Sequence, residues 1–340
     1  WFPLGRCQNN KLIYEEIIML KSTENQSRFY DDVLFSALAN NTRIAYDKGW
    51  ACFQDYCKDV GIDALAAAPD DVADFFIIMG SRANMINGKS LSFSTLSLYR
   101  SAINRKFVEA HKPSPTAHPK VDVIMKGLAR MRGTAQRRVL ALREHHILSM
   151  LEQCGDSPIG LRDAALISLG FSAALRRSEI CALTVDDIQI ISSANGAENR
   201  QMFINIRKSK TDQEGKGQRI AIPEGNVIRP IKRLEDWLHI SAIRWGHIFQ
   251  SMTRNGNVRG RPLHHADVPR LLKHYGKIIG LNPNEISGHS LRAGFVTSAA
   301  AHNARLDKIM QITRHTNPET VMGYIRDTEL FRDHAGKDFL

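Results

Sequence analysis

Four short segments in the second half of this 340-residue chain carry side chains suited to chemistry. Taken singly, each has an ordinary structural explanation. The pair Arg176-Arg177 follows an apolar run, and cations complement the dipole at a helix C-terminus. Lysines beyond a strand that ends near Ile206 can protect a sheet edge. His289 and Tyr324 are residue types that protein cores commonly contain.

The spacing inside these segments indicates that they act together. His289 and Arg292 are three positions apart, so on a helix they share a face. His315 and Tyr324 are nine positions apart and would lie on opposite sides of a continuous helix. The sequence Thr316-Asn317-Pro318 instead predicts that one helix ends there and another begins with proline in its first turn. That break would let both side chains turn toward one point.

Combined, the segments supply large donors, potential acids and one nucleophilic hydroxyl: Arg176, Lys210, His289, Arg292, His315 and Tyr324. No cluster of Asp and Glu accompanies them, so the pattern does not suggest a divalent-metal phosphoryl-transfer site. Cationic side chains could instead neutralise the charge that develops on a pentacoordinate phosphate. A tyrosine hydroxyl could attack phosphorus and form a covalent intermediate.

The order of the motifs A-L-R-R-S-E-I, K-S-K-T, G-H-S-L-R, R-H-T and M-G-Y-I-R resembles the tyrosine recombinase (phage-integrase-type) family. The resemblance covers about residues 30 to 335 and is greatest to the Cre-like and Xer-type members. It implies a mainly α fold, in which an all-helical N-terminal core-binding domain precedes a mostly helical catalytic domain with a small antiparallel β-sheet.

The resemblance also implies a role for each residue that would bind the phosphate. Arg176 and Arg292 would hold the non-bridging oxygens of the scissile phosphate through forked guanidinium donors. Glu179 would support Arg176, and His315 would donate a hydrogen bond to the phosphate. Cre-like members can carry tryptophan at this last position, so the histidine is closer to the Xer-type pattern.

The remaining residues of the set would move protons or attack. Tyr324 matches the nucleophile, and His289 would assist proton transfer with it. Lys210 would be the general acid for the departing 5′ oxygen, with Lys208 the less favoured candidate.

The activity implied by the resemblance is site-specific DNA recombination through a 3′-phosphotyrosyl intermediate and a Holliday junction. The expected partner is double-stranded DNA with inverted-repeat sites, bound by a homotetramer that is a monomer in free solution. No metal, ATP or other cofactor is expected, nor a membrane. The expected location is the bacterial cytoplasm, on chromosomal, plasmid or phage DNA.

Composition agrees with a soluble, nucleic-acid-binding chain. Hydrophobic residues make up 43% and charged residues 24%, which excludes disordered and collagen-like classes. The formal charge of +11 points to a polyanionic partner. The excess is uneven: residues 1–80 carry 7 basic and 12 acidic side chains, whereas residues 81–133 carry 10 and 2. The uncharged run 164–175 is shorter than the roughly 20 residues that span a bilayer.

The cysteines indicate the redox compartment, and the first residue indicates whether the sequence is a fragment. The five cysteines are odd in number and lack C-x-x-C spacing, which fits a reducing compartment and neither a disulfide framework nor a zinc site. Because the chain begins with Trp1 and not Met, we expect it to be a fragment.

The elements that must position these residues suggest four parts: an N-terminal extension (1–27), a helical core DNA-binding domain (28–133), a linker (134–138) and a catalytic domain with a C-terminal tail (139–340). In the second part we expect a helix capped by Thr42, one opened by Pro69, a loop around Gly88 and helices over 91–108 and 121–131. The tail would dock on a neighbouring subunit or on its own domain.

In the catalytic part we expect helices over 144–153 and 161–175. Alternating strands over 202–206 and 219–222 should flank a turn at 215–217. Helices only are expected from Ile228 to the end.

Basic residues on the expected helices are the candidate DNA contacts, although each has a solvated surface as its alternative explanation. These candidates are Arg43, Lys48, Lys89, Arg100, Arg105, Lys106, Arg259, Arg261, His265, Arg270 and Lys273. Those from Arg259 onward precede or lie on a helix that could enter a major groove.

Three other functions remain as alternatives. A type IB topoisomerase shares a similar catalytic set but needs neither a tetramer nor a specific site. A DNA-binding protein without enzymatic activity could keep the scaffold, although the intact residue set argues against it. A telomere resolvase usually has a longer chain.

Overall fold

The computed structural model describes residues 39–81, 91–134, 139–191, 200–207 and 217–329, with side chains up to Tyr324 in the last range. The chain divides into two compact units, Trp1–Gln136 and Arg137–Leu340. Within the described residues, no helix is long and apolar enough to cross a membrane.

The first unit is helical throughout its described part. Its helices are α1 (Asn40–Val60), α2 (Pro69–Ser81), α3 (Phe93–Glu109) and α4 (Pro119–Arg132). Helix α1 packs on α3, and α2 packs on α4. The apolar faces of these helices meet in one core, where the Phe53 and Phe75 rings pack edge to face at 5.1 Å.

Two local predictions in this unit have clear outcomes. Pro69 opens α2, as predicted. Thr42 is not the cap of α1: the helix begins at Asn40, and the N-cap residue Ala39 makes no side-chain hydrogen bond. The loop expected around Gly88 lies outside the described residues.

The second unit begins with three helices, α5 (Glu144–Glu152), α6 (Pro158–Ser172) and the short α7 (Arg177–Ala182). Residues 163–171 of α6 are all buried. Helices α5, α8 (Pro230–Ser241) and α10 (Ser290–Ala301) all pack against α6, which makes α6 the centre of the core.

A three-stranded antiparallel sheet follows, with strands β1 (Ile188–Ile191), β2 (Gln201–Ile206) and β3 (Gln218–Pro223). The predicted pairing of β2 with β3 is confirmed, with Ile204 opposite Ile220. Strand β1 was not predicted, because its four residues are too short to show alternation. The expected turn lies mostly outside the described residues.

The expectation of helices only beyond Ile228 is wrong. Strands β4 (Gln250–Met252) and β5 (Val258–Pro262) form a second antiparallel pair. Gly256, with a φ of 82°, lies between them. The remaining helices are α9 (Asp267–Ile278), α10, α11 (Leu306–Thr313) and α12 (Pro318–Glu329). The fold class, mainly α with small antiparallel sheets, is as predicted.

Candidate active site

The connection between α6 and α7 positions the first arginine. The ordinary structural explanation placed Arg176 at the C-terminus of a helix. Arg176 is instead the N-cap residue of α7. Glu179, one turn into α7, accepts a hydrogen bond from the Arg176 backbone N–H (2.8 Å) and another from its Nη1 (2.8 Å). The carboxylate therefore fixes both the start of the helix and the direction of the guanidinium.

The first turn of α10 brings a second arginine to the same connection. Arg292 is 6% exposed and donates from Nη1 to the carbonyl oxygen of Ala174 at 2.9 Å. Ala174 has a φ of 47°, in the left-handed region, and follows the end of α6. Arg292 Nη2 is buried and has no hydrogen-bond partner among the described residues.

The predicted break between His315 and Tyr324 is confirmed: α11 ends at Thr313 and α12 starts at Pro318. Asn317 Oδ1 accepts from the Glu319 N–H at 2.8 Å and so caps the new helix.

The ring of His315 contacts Thr313 Oγ1 through Nδ1 at 2.8 Å. Since the Thr313 hydroxyl already donates to the Ile309 carbonyl, we assign the proton of this contact to His315 Nδ1. Nε2 of the neutral ring then carries no proton.

A third arginine shares Glu179 with Arg176, and the sequence reasoning gave it no role. Arg314 Nη2 donates to Glu179 Oε2 at 2.6 Å, with side-chain exposures of 3% and 2%. One carboxylate thus pairs with both Arg176 and Arg314. The signal was present in the R-H-T motif, where Arg314 precedes the candidate histidine, but only the tertiary contact shows its partner.

Burial among cations shifts the titration of this cluster. Desolvation, and then the charges of Arg176 and Arg314, lower the pKa of Arg292 to about 9, so it stays protonated at neutral pH. Desolvation, and then the charges of the three arginines, lower the pKa of His315 from 6.5 to about 4. The site is therefore cationic through its arginines, and His315 is neutral.

Tyr324 lies on α12 beside this cluster. It is half-buried and packs against Val296, Ala300 and Ile309 of α10 and α11. Helix α12 packs on α10, the helix that carries Arg292. The structure thus brings Arg176, Glu179, Arg292, His315 and Tyr324 into one region.

The three remaining candidates are His289, Lys208 and Lys210. His289 is exposed at the N-cap of α10, where its backbone N–H donates to Ser287 Oγ at 3.0 Å. It differs in exposure from buried Arg292, although both belong to the start of one helix. Lys208 and Lys210 lie outside the described residues. Within the described part, no group of three or more His, Cys, Asp or Glu side chains could hold a metal ion.

The candidate DNA contacts of the first unit lie on two helices. Arg43 and Lys48 belong to α1, and Arg100, Arg105 and Lys106 belong to α3. Lys89 lies outside the described residues. A groove of about 740 Å³ lies along α3; its polar lining residues include Ser97, Arg100, Ser101, Asn104 and Arg105.

Carboxylates partly neutralise these cations. Glu109 pairs with Arg105 at 2.8 Å and with Lys106 at 2.9 Å. Arg100 pairs with Asp122 at 2.6 Å. These half-exposed pairs add little stability, so their cations remain available for another anion.

The candidates of the second unit occupy a strand and a helix. Arg259 and Arg261 are exposed on β5. His265 lies between β5 and α9, and Arg270 and Lys273 lie on α9. Arg270 pairs with Asp267 at 2.7 Å.

Residues 141–330, which include every member of the buried cluster, match the model of the phage integrase family. The chain belongs to the phage integrase family. It is 31% identical over 300 residues to an integrase/recombinase XerD homolog of Selenomonas ruminantium, covering 87% of this chain and 84% of the relative. The recombinase Cre of Escherichia phage P1 is 23% identical over 320 residues, covering 88% and 87%.

Solved structures show the same fold. A lambda integrase dimer bound to a COC′ core site aligns with a TM-score of 0.56 and 18% identity, covering 89% of this chain and 94% of that one. The XerH recombinase bound to a palindromic difH substrate aligns with a TM-score of 0.56 and 17% identity, covering 80% and 72%. This member of the phage integrase family is a tyrosine site-specific recombinase.

Proposed function

We propose that this recombinase cleaves and rejoins DNA through a covalent bond between Tyr324 and a 3′ phosphate. The observation that carries the proposal is that Arg176 and Arg292 are held at one connection in the chain and that Tyr324 packs against the helix that carries Arg292. A phosphodiester bridging this region would meet two guanidinium groups and a nucleophile.

The two arginines bind the non-bridging oxygens. Arg292 Nη2 has no hydrogen-bond partner among the described residues, and an anion would satisfy it. Arg176 is held by Glu179, so its guanidinium needs little reorganisation when the phosphate arrives. To donate a hydrogen bond from Nε2, the neutral His315 ring must carry its proton there and not on Nδ1, and the Thr313 hydroxyl then turns from the Ile309 carbonyl to donate to Nδ1.

The cleavage step exchanges one bond for another. Tyr324 Oη bonds to phosphorus and the bond from phosphorus to the 5′ oxygen breaks, so phosphodiester energy is conserved. His289 accepts the phenolic proton, and Lys210 supplies a proton to the departing 5′ oxygen. Attack by a 5′ hydroxyl of a partner strand reverses the step. No metal, ATP or redox reaction enters this balance.

DNA binding and assembly complete the proposal. Residues 28–133 bind the duplex through the groove along α3, and residues 139–340 hold the catalytic site. Two duplexes with inverted-repeat sites are exchanged through a Holliday junction by a tetramer that forms on the DNA from monomers. We expect this to take place in the bacterial cytoplasm, where chromosomal, plasmid and phage DNA lie.

A covalent-adduct assay tests the mechanism. Nicked DNA carrying candidate inverted repeats from the neighbouring genome is incubated with protein in EDTA and without ATP, and products are separated under denaturing conditions. We expect an adduct with the wild type and with the matched control Tyr56→Phe, and none with Tyr324→Phe. An adduct that persists in Tyr324→Phe, or that forms only with added metal, contradicts the mechanism.

A second assay separates a recombinase from a topoisomerase. Recombinant product should require a particular sequence and two copies of it. Relaxation of any supercoiled plasmid without such a sequence would favour the topoisomerase.

A further inference from the structure

Arg314 is buried in an unusual way for an arginine. Its residue is 6% exposed, and Nη2 donates to Glu179 while Nε and Nη1 have no hydrogen-bond partner within the described residues. Its backbone has a φ of 57°, the left-handed conformation in which glycine is favoured. Both features are costly, so a smaller neutral residue would fit the position at lower energy.

The charges around Glu179 do not cancel. Arg176, Arg292 and Arg314 supply three positive charges, and Glu179 supplies one negative charge. His315 is neutral, since desolvation and the three cations lower its pKa to about 4. The cluster therefore carries a net charge of +2.

That charge has a chemical counterpart in the proposed reaction. A phosphodiester carries one negative charge. Attack by a tyrosine that has given up its proton produces a pentacoordinate phosphorane with two negative charges. Without Arg314 the cluster would carry +1, which matches the ground state better than the transition state.

We propose that Arg314 is a positioning residue that, through Glu179, keeps Arg176 in place and sets the cluster charge to match the dianionic transition state. This inference rests on the proposed phosphotyrosine mechanism. Because Arg314 shares Glu179 with Arg176, the carboxylate does not neutralise the phosphate-binding guanidinium completely. Arg314 therefore contributes to the cleavage rate and little to DNA affinity.

The test compares cleavage rates on two substrates, in single-turnover reactions with saturating protein. One nicked substrate carries an ordinary scissile phosphate, and the other a neutral methylphosphonate at the same position. The variants are Arg314→Met, which removes the charge, Arg314→Lys, which keeps it, and Arg314→Gly, which removes the side chain and favours the left-handed turn. Arg305→Met is the matched control, because Arg305 immediately precedes α11, the helix that Arg314 follows, but is exposed and pairs with Asp307.

On the phosphate substrate we expect Arg314→Met and Arg314→Gly to cleave at least about tenfold more slowly than the wild type, with DNA affinity changed less than about threefold. Arg314→Lys should recover part of the rate, and Arg305→Met should match the wild type. On methylphosphonate the deficit of the Met and Gly variants should shrink to within about threefold, because the transition state carries one charge fewer.

Two outcomes overturn this inference alone: unchanged cleavage in Arg314→Gly, or an equal deficit on both substrates, which would mean that Arg314 only supports the fold. A wild-type protein that forms no adduct on the cognate site overturns the proposed function and the inference with it.

Discussion

Replacing Glu179 with glutamine should destabilise the second unit severely. The Glu179 side chain is 2% exposed and accepts from Arg176 Nη1, from the Arg176 backbone N–H and from Arg314 Nη2. Glutamine keeps the shape but loses the charge, and its amide group presents a donor where an arginine already donates. Two buried guanidinium groups then lose their counter-ion.

The expected cost follows from this loss. Breaking a buried ion pair by removing one partner costs about 3–5 kcal/mol, because the remaining charge stays desolvated. The loss of the backbone bond at the start of α7 is of the order of 1 kcal/mol. We expect about 3–5 kcal/mol in total, since the glutamine oxygen retains one acceptor. That is a large part of a typical domain stability of about 5–15 kcal/mol.

Urea unfolding of the full chain, followed by far-UV circular dichroism, measures this difference in the transition of the second unit. Glu152→Gln, an exposed glutamate at the end of α5, is the control and should change stability by less than about 0.5 kcal/mol. The double variant Glu179→Gln/Arg314→Met should be less destabilised than the sum of the single variants by at least about 1 kcal/mol. A loss below about 1 kcal/mol for Glu179→Gln, or strict additivity, would refute the argument.

The remaining predictions concern packing, pH and DNA affinity. Gly294→Ala should lower the free energy of unfolding by about 3 kcal/mol, because the added Cβ would lie 1.9 Å from the Leu142 carbonyl oxygen; Gly323→Ala, with open space around its Cβ, should not destabilise. Thermal unfolding of both variants measures the difference. An equal shift of Tm in Gly294→Ala and Gly323→Ala would contradict the packing argument. The pKa of His315 is about 4 in the fold, against an ordinary value of 6.5. Between these values the unfolded chain binds a proton that the folded chain does not, so stability falls as pH drops through that window. Between pH 7 and pH 5 the free energy of unfolding should fall by up to about 2 kcal/mol more in the wild type than in His315→Gln. Urea midpoints that change equally with pH in the two proteins would contradict this. Arg105→Gln should weaken DNA binding similarly for all sequences and reduce the slope of log K against log salt by about 1; an unchanged slope in fluorescence anisotropy titrations excludes a phosphate contact there.

Much of the fold was predictable because its signals are local. The proline that opens α2 and the alternation in β2 and β3 each lie within a few residues of sequence. The break at Pro318 was predictable for the same reason, since proline lacks the N–H that a continuous helix needs. Strands β1 and β4 escaped prediction because four or three residues hold too little periodicity.

The candidate site shows the same division. Arg176, Arg292 and Tyr324 were identified by type, order and spacing, and these are properties of the chain alone. The sequence also determined that any charge match would be with an anion, since the candidate set is cationic.

Only the tertiary structure decided how those charges are shared. Glu179 and Arg314 are 135 positions apart, and no local pattern links them. Packing brings α7 against the end of α11, and burial there makes one carboxylate the partner of two arginines. The physical reason is that desolvation and charge pairing depend on distances in the folded state, whereas residue type and periodicity are already present in the unfolded chain.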